Sequence, residues 1–199
     1  MSIAIPFEKI EQGYSYAEYR ALTDQLLSEG KTTGENQSEA MIEYTQLNVQ
    51  RMKRAEKVFK LNEETEKHLQ AIDRPIYWVV LSEAWCGDAA LNLPAIAKMA
   101  EVNDHIKLSI LLRDENPEVM DQYLTNGGRS IPKLIAVDAE SGAELFTWGP
   151  RPAPAQQIVL DWKASGSTNP DEKNVAIQKW YAKDKGQTIQ EEFIALLNQ

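Results

Sequence analysis

The chain has 199 residues, of which 43% are hydrophobic, and a formal net charge of −9, which predicts one globular core domain with additions. An acidic chain repels the phosphate backbone of nucleic acids, and its basic residues 51–60 are interrupted by Glu56, so we expect a solvated helix face there and no nucleic-acid partner. Because no run of about 18 apolar residues occurs and residues 1–10 do not resemble a signal peptide, we expect a cytoplasmic protein that does not contact membranes.

The first seventy residues are predicted to be helical. Apolar residues recur at helical spacing up to Gly30, where glycine provides a stop. A polar loop then leads into a long helix over residues 38–60. A shorter helix follows over residues 63–72, with Asn62 as its N-cap and acidic residues in its first turns.

After Pro75 the chain alternates between apolar, β-rich runs and helical segments. Residues 76–81 are continuously apolar, which is typical of a strand buried on both faces. Further strands are predicted over residues 106–112, 133–137 and 144–148, and helices over residues 87–102 and 117–124. This order requires right-handed parallel connections first and an antiparallel hairpin last. It predicts an α/β fold with a central mixed sheet, two strands parallel and two antiparallel, flanked by helices.

Helices are also predicted for the end of the chain. The first spans residues 155–163, and the second begins at Pro170 and is expected to end with Gly186 as a left-handed stop. Thr188 and Glu191 form a capping-box pattern that predicts the start of the last helix.

The predicted elements divide the chain into three parts. Residues 1–71 form an N-terminal helical extension packed on the core, residues 72–164 form the core domain, and residues 165–199 form a C-terminal helical extension.

Cys86 is the only cysteine, so no internal disulfide is possible. It lies between a predicted strand and a predicted helix, where free N–H groups and the helix dipole stabilise a thiolate, the nucleophile of thiol–disulfide exchange. The alternative is a small apolar core residue. The acids Glu83 and Asp88 oppose the dipole, and if the two effects cancel, the thiol pKa is near the reference value of about 8.5.

No other residues suggest catalysis or metal binding. His68 and His105 are far apart in sequence and are expected at the surface. No cluster of His, Cys and carboxylates has metal-ligand spacing, and no glycine-rich phosphate loop occurs. We therefore expect neither a metal nor a cofactor.

Five segments, in order and at near-family spacing, resemble the thioredoxin family over residues 72–163. They are Trp85-Cys86-Gly87, similar to the start of the Trp-Cys-Gly-Pro-Cys active site; Pro94, where the active-site helix kinks; Arg113-Asp114-Glu115-Asn116-Pro117; Ser130-Ile131-Pro132-Lys133, similar to the cis-proline loop; and Gly149, in the substrate groove. With its terminal helices, the chain also resembles a thioredoxin-like branch that has a Trp-Gly-Pro-Arg-Pro segment and a helical tail.

The resemblance implies a thioredoxin-like fold and names the site residues. Cys86 would be the attacking cysteine, with a cis peptide bond between Ile131 and Pro132 beside it. The remaining implied residues are Trp85, Gly87, Asp88 and Ala89 around the thiol and Ile131, Pro132 and Gly149 along the substrate groove.

Three positions depart from the family pattern. Asp88 replaces the proline, Ala89 replaces the second cysteine, and Val80 lies where many thioredoxins bury an aspartate. Without a thiol at position 89, a mixed disulfide on Cys86 cannot be resolved internally and must await an external thiol.

Two functions are consistent with this pattern. The first is a monothiol thiol–disulfide oxidoreductase, whose partners are protein or small-molecule thiols and disulfides; the survival of the attacking cysteine favours it. The second is a non-catalytic module that binds an extended peptide in the groove by backbone pairing, with Cys86 as a remnant.

Overall fold

A computed structural model describes residues 5–198 of the chain. Its strands are β1 (Ile76–Ser82), β2 (Ile106–Leu112), β3 (Lys133–Asp138) and β4 (Glu144–Trp148). Its helices are α1 (Phe7–Gln12), α2 (Tyr16–Ser28), α3 (Glu39–Val58), α4 (Glu63–Gln70), α5 (Gly87–Ala100), α6 (Pro117–Met120), α7 (Ala153–Ala164), α8 (Pro170–Asp184) and α9 (Gln187–Leu197). One 3₁₀ turn, Arg113–Glu115, precedes α6.

The four strands form one mixed sheet in the order β2-β1-β3-β4. β1 is parallel to β2 and antiparallel to β3, and β4 is antiparallel to β3. The predicted α/β fold is confirmed, and β1 is central because its continuously apolar run needs cover on both faces.

The sheet connection brings Cys86 to the start of a buried helix. β1 ends at Ser82, and after four intervening residues α5 begins at Gly87. Inside α5, Leu93 and Ile96 are fully buried and anchor the helix on the sheet. The helix N-terminus is thereby held at the carboxyl end of the central strand, where α/β folds commonly place their sites.

Helices from both ends of the chain pack on this frame. Met52 and Ala55 of α3 are buried at the contact with α5. At the other end, Phe193 of α9 is buried against Trp78 of β1, with ring centroids 5.0 Å apart. A smaller apolar cluster joins α7 and α8 and comprises Ala155, Val159, Ile177 and Tyr181. Within residues 5–198, no helix is long and apolar enough to cross a membrane.

Two predicted helix ends differ from the structure. α6 stops at Met120 rather than near residue 124, because the chain turns there toward the loop at Asn126, which has a positive φ of 51°. The capping box of Thr188 and Glu191 is absent from the described residues, because α9 begins with Gly186 as its N-cap and Thr188 instead hydrogen-bonds to Asp184. α8 ends at Asp184, and both residues after it are left-handed, Lys185 with φ 54° and the predicted stop Gly186 with φ 80°.

Candidate functional site

Cys86 is the N-cap residue of α5. Its backbone is extended (φ −78°, ψ 117°), and its Sγ accepts a hydrogen bond from the backbone N–H of Ala89 at 3.5 Å. The thiol also donates to the backbone carbonyl of Ile131, with Sγ and O 3.2 Å apart. A serine or asparagine would cap this helix equally well, so the choice of cysteine adds a nucleophile to a structural position.

Cys86 is only 8% exposed, and burial raises the pKa of its thiol to about 12. The charge of Asp88 raises the pKa further, while N–H donors of the helix start and Arg151 lower it. The prediction of a pKa near 8.5 is wrong because it balanced the dipole against the acids and omitted desolvation. Most of the thiol is protonated at neutral pH.

Glu83 does not act on the thiol as predicted. It is fully buried, and its Oε1 accepts a hydrogen bond from the backbone N–H of Asp114 at 2.9 Å. Burial raises the pKa of its own carboxyl. The acid that acts on Cys86 is therefore Asp88, on the first turn of α5.

Asp88 joins the start of α5 to two distant parts of the chain. Its Oδ2 accepts from Arg151 Nε at 3.0 Å and Nη2 at 2.6 Å, and its Oδ1 accepts from the hydroxyl of Tyr181 at 2.9 Å. That hydroxyl also accepts from Asn92 Nδ2 at 2.8 Å. Asp88 thus anchors α8 to the start of α5. Sequence reasoning missed Arg151 and Tyr181 as site residues; the only signal was the position of Arg151 between two prolines.

Of the predicted groove residues, Ile131 contacts the thiol through its carbonyl, whereas Gly149 is half-buried and lines a different cavity, of about 470 Å³. The Ile131–Pro132 peptide bond is cis, as is Gly149–Pro150, and Ile131 and Pro132 are buried. Gly149 has φ +112°, and a Cβ at this position would lie 2.3 Å from the carbonyl oxygen of Pro132. Glycine is required here because the end of β4 approaches the Pro132 backbone directly.

Trp85 is half-buried next to Cys86, with the guanidinium carbon of Arg113 4.8 Å from its ring centroid. Arg113 also pairs with Asp114, with Nη2 2.7 Å from Oδ1. This stacked cation fixes the indole at one side of the thiol.

A cavity of about 340 Å³ adjoins the thiol. α3 contributes one wall, α8 another, and the turn from Trp85 to Asp88 the floor. Its lining residues are Met41, Tyr44, Arg51, Trp85, Cys86, Gly87, Asp88, Asn174, Ile177 and Gln178. The accessible side of Cys86 therefore faces helices that lie outside the predicted core domain.

Within the part of the chain that the structure describes, no group of three or more His, Cys, Asp or Glu side chains could hold a metal ion. His105 is exposed and His68 is half-buried on α4, far from Cys86 in sequence. The chemistry available at this site is that of one buried thiol beside a cavity.

The sequence matches a family model described as thioredoxin over residues 34–165. The structure is similar to the crystal structure of a protein of unknown function from Pseudomonas aeruginosa, with a TM-score of 0.55, 19% identity, and coverage of 93% of this chain and 98% of that chain. It is also similar to an HIV epitope scaffold, with a TM-score of 0.55, 18% identity and the same coverage. At these identities the two likenesses show a shared fold. No curated protein sequence matches this chain.

Proposed function

Since this chain belongs to the thioredoxin family, we propose that it performs thiol–disulfide exchange through Cys86 alone, as a monothiol without an internal resolving cysteine. The observation that carries the proposal is the position of Cys86, which caps α5 beside the Ile131–Pro132 segment and opens on a cavity. A purely structural cysteine does not require a cavity at its sulfur.

The exchange has two balanced steps. Cys86 loses its proton to solvent, and the thiolate attacks one sulfur of a disulfide RS–SR; the Cys86–SR bond forms, the RS–SR bond breaks, and RS⁻ leaves and takes up a proton. An external thiolate R′S⁻ then attacks the SR sulfur, forming R′S–SR and returning Cys86 as a thiolate that is reprotonated. A cytoplasmic location would supply this external thiol.

The residues around Cys86 set the rate of each step. Because burial raises the thiol pKa to about 12, only a small fraction is thiolate at neutral pH, and attack is slow and accelerates as pH rises. Ala89, buried where the family has its second cysteine, offers no internal nucleophile. The adduct should therefore persist until an outside thiol arrives.

The alternative function is a non-catalytic peptide- or protein-binding module of the thioredoxin fold. The raised pKa of Cys86 favours it, since a protonated thiol is a weak nucleophile. Against it, Ile131 and Pro132 are buried, and the carbonyl of Ile131 already accepts from the thiol, so these groups are not free to pair with an extended peptide.

Intact-mass measurement of the folded protein decides between the two. At mildly alkaline pH with oxidised glutathione or 2-hydroxyethyl disulfide, wild type should gain one mixed disulfide that dithiothreitol removes, and Cys86→Ser should gain none. Ala89→Cys should add internal resolution and measurable reduction of insulin disulfides. If native wild type forms no adduct with either disulfide while the urea-unfolded chain does, the exchange proposal is wrong and the binding module takes its place.

A further inference from the structure

Arg51 of α3 is held directly over the first residue of α5. A Cβ added to Gly87 would lie 3.2 Å from Arg51 Nη1. The same Nη1 donates to Asn48 Oδ1 at 2.9 Å, and Asn48 Nδ2 donates to the carbonyl of Ala84 at 2.9 Å. The guanidinium is thus tied to the turn that carries Cys86, and it lines the same cavity as the thiol.

Arg51 forms no ion pair with any of residues 5–198, although the charge of Asp88, which lines the same cavity, acts on it. The other two guanidinium groups near the site are paired, Arg151 with Asp88 and Arg113 with Asp114, whereas Arg51 takes part in no ion pair with a described residue. Burial lowers the pKa of Arg51 from its ordinary value, yet a guanidinium stays protonated at neutral pH. A partly desolvated cation that no carboxylate contacts directly has free donors for an anion from outside the chain.

A second cavity of about 240 Å³ lies on the other side of Arg51 from the thiol, since Arg51 lines it and Cys86 does not. Arg51 and Gln178 line both cavities, and the second also receives Arg54 and Lys185, with Asp184 as its one acid. In a chain with a net charge of −9, three basic residues against one acid make this second cavity a local reversal of charge.

We propose that the two cavities bind a low-molecular-weight thiol or disulfide that carries a carboxylate, with its sulfur at Cys86 and its carboxylate on Arg51. As a substrate class, this ligand rests on the proposed exchange reaction, whereas its binding does not require that reaction. The planar guanidinium matches a carboxylate through two parallel N–H donors. The cavity volumes suit a ligand the size of a tripeptide rather than a folded protein chain.

Binding can be measured without any redox chemistry. In Cys86→Ser, S-methylglutathione, an unreactive thioether with two carboxylates, should bind by calorimetry. Adding Arg51→Gln should weaken its affinity by about tenfold or more, since a charge-assisted hydrogen bond is lost. Arg51→Lys should give an intermediate loss, because the charge stays and the paired donors go.

Lys53→Gln in the same Cys86→Ser background is the matched control. Lys53 is exposed on α3, lines neither cavity, and its replacement removes the same charge. It should leave the affinity unchanged, and circular dichroism checks that each variant is folded. No binding to Cys86→Ser, or equal losses from Arg51→Gln and Lys53→Gln, would overturn the proposal.

Reaction rates separate this proposal from the proposed function. With Cys86 intact, the rate of adduct formation with glutathione disulfide is divided by the rate with neutral 2-hydroxyethyl disulfide. Any change in thiol reactivity affects both rates equally and cancels in this ratio. Arg51→Gln should lower this ratio by about tenfold. If the ratio is unchanged and adducts form normally, the role of Arg51 is refuted and the exchange reaction is not. If S-methylglutathione binds in a manner that depends on Arg51 but no adducts form, only the exchange reaction is refuted.

Discussion

Opposing effects act on the pKa of the Cys86 thiol, and the immediate surroundings of this residue decide which of them is larger. Its place at the start of α5 provides the N–H of Ala89 as a donor, which stabilises a thiolate. Its burial and the charge of Asp88 act the other way, and burial is the larger effect. The donated hydrogen bond to Ile131 requires the proton to be present. The folded protein therefore holds a thiol that is a weaker acid than an unfolded one.

This difference makes stability depend on pH. Below the unfolded pKa of about 8.5 both states keep the proton, and above it only the unfolded state ionises until the folded pKa of about 12 is reached. The free energy of unfolding of wild type relative to Cys86→Ser should thus fall by about 1–2 kcal/mol between about pH 8 and about pH 10. Urea unfolding of both proteins at both pH values measures this fall. Subtracting the value for Cys86→Ser removes the contribution of the ionising tyrosines, which both proteins share. A constant difference across this range would show that the thiol pKa is not raised.

At the scale of elements, Asp88 connects α5 to the segment after β4 and to α8. Arg151 and Tyr181 reach it from 63 and 93 residues away in sequence. The side chains of Asp88 and Arg151 are 14% and 16% exposed, so this pair is largely removed from water. Loss of one partner leaves the other charge buried and unpaired, which costs more than the pair itself contributes.

Asp88→Asn should therefore lower the free energy of unfolding by about 3 kcal/mol. It should also lower the pKa of Cys86, because the repulsive charge is removed and Arg151 is released from it. Urea unfolding and the pH dependence of thiolate absorbance measure the two effects.

The matched control is Asp121→Asn, which breaks the bidentate Asp121–Arg129 pair at the surface. Because that pair is exposed, its loss should leave stability nearly unchanged. Equal losses from both substitutions would contradict a buried anchoring role for Asp88, as would an unchanged thiol pKa in Asp88→Asn.

At the scale of the whole molecule, the main core includes the last helix. Phe193 of α9 is fully buried, and its ring lies 5.0 Å from that of Trp78, 5.7 Å from Trp148 and 6.3 Å from Phe146. Trp148 Nε1 also donates to Glu192 Oε2 at 2.6 Å. The three-part division at residues 71 and 164 stays a prediction, and these contacts make the C-terminal part a component of the central core.

Phe193→Ala should lower the free energy of unfolding by about 3–5 kcal/mol, since it leaves a cavity among three aromatic rings of β1 and β4. Val175→Ala on α8, where the valine is 51% exposed, is the comparison and should cost little. Thermal or urea unfolding measures both. A loss below that of Val175→Ala would mean that α9 folds independently of the sheet.

The sequence by itself determined the order of elements, the central place of β1 and the position of Cys86 before a helix. These follow from local patterns: a continuously apolar run, alternating periodicities and the N-cap Asn62. Only the tertiary structure decided the protonation of the thiol, the pairing of Asp88 with Arg151, and the cavity that Arg51 shares with Cys86. Burial and charge pairing depend on neighbours that are distant in the chain, and no local spacing specifies which of them meet. The family resemblance identified the cysteine, whereas packing of α3 and α8 around it set its acidity and its access.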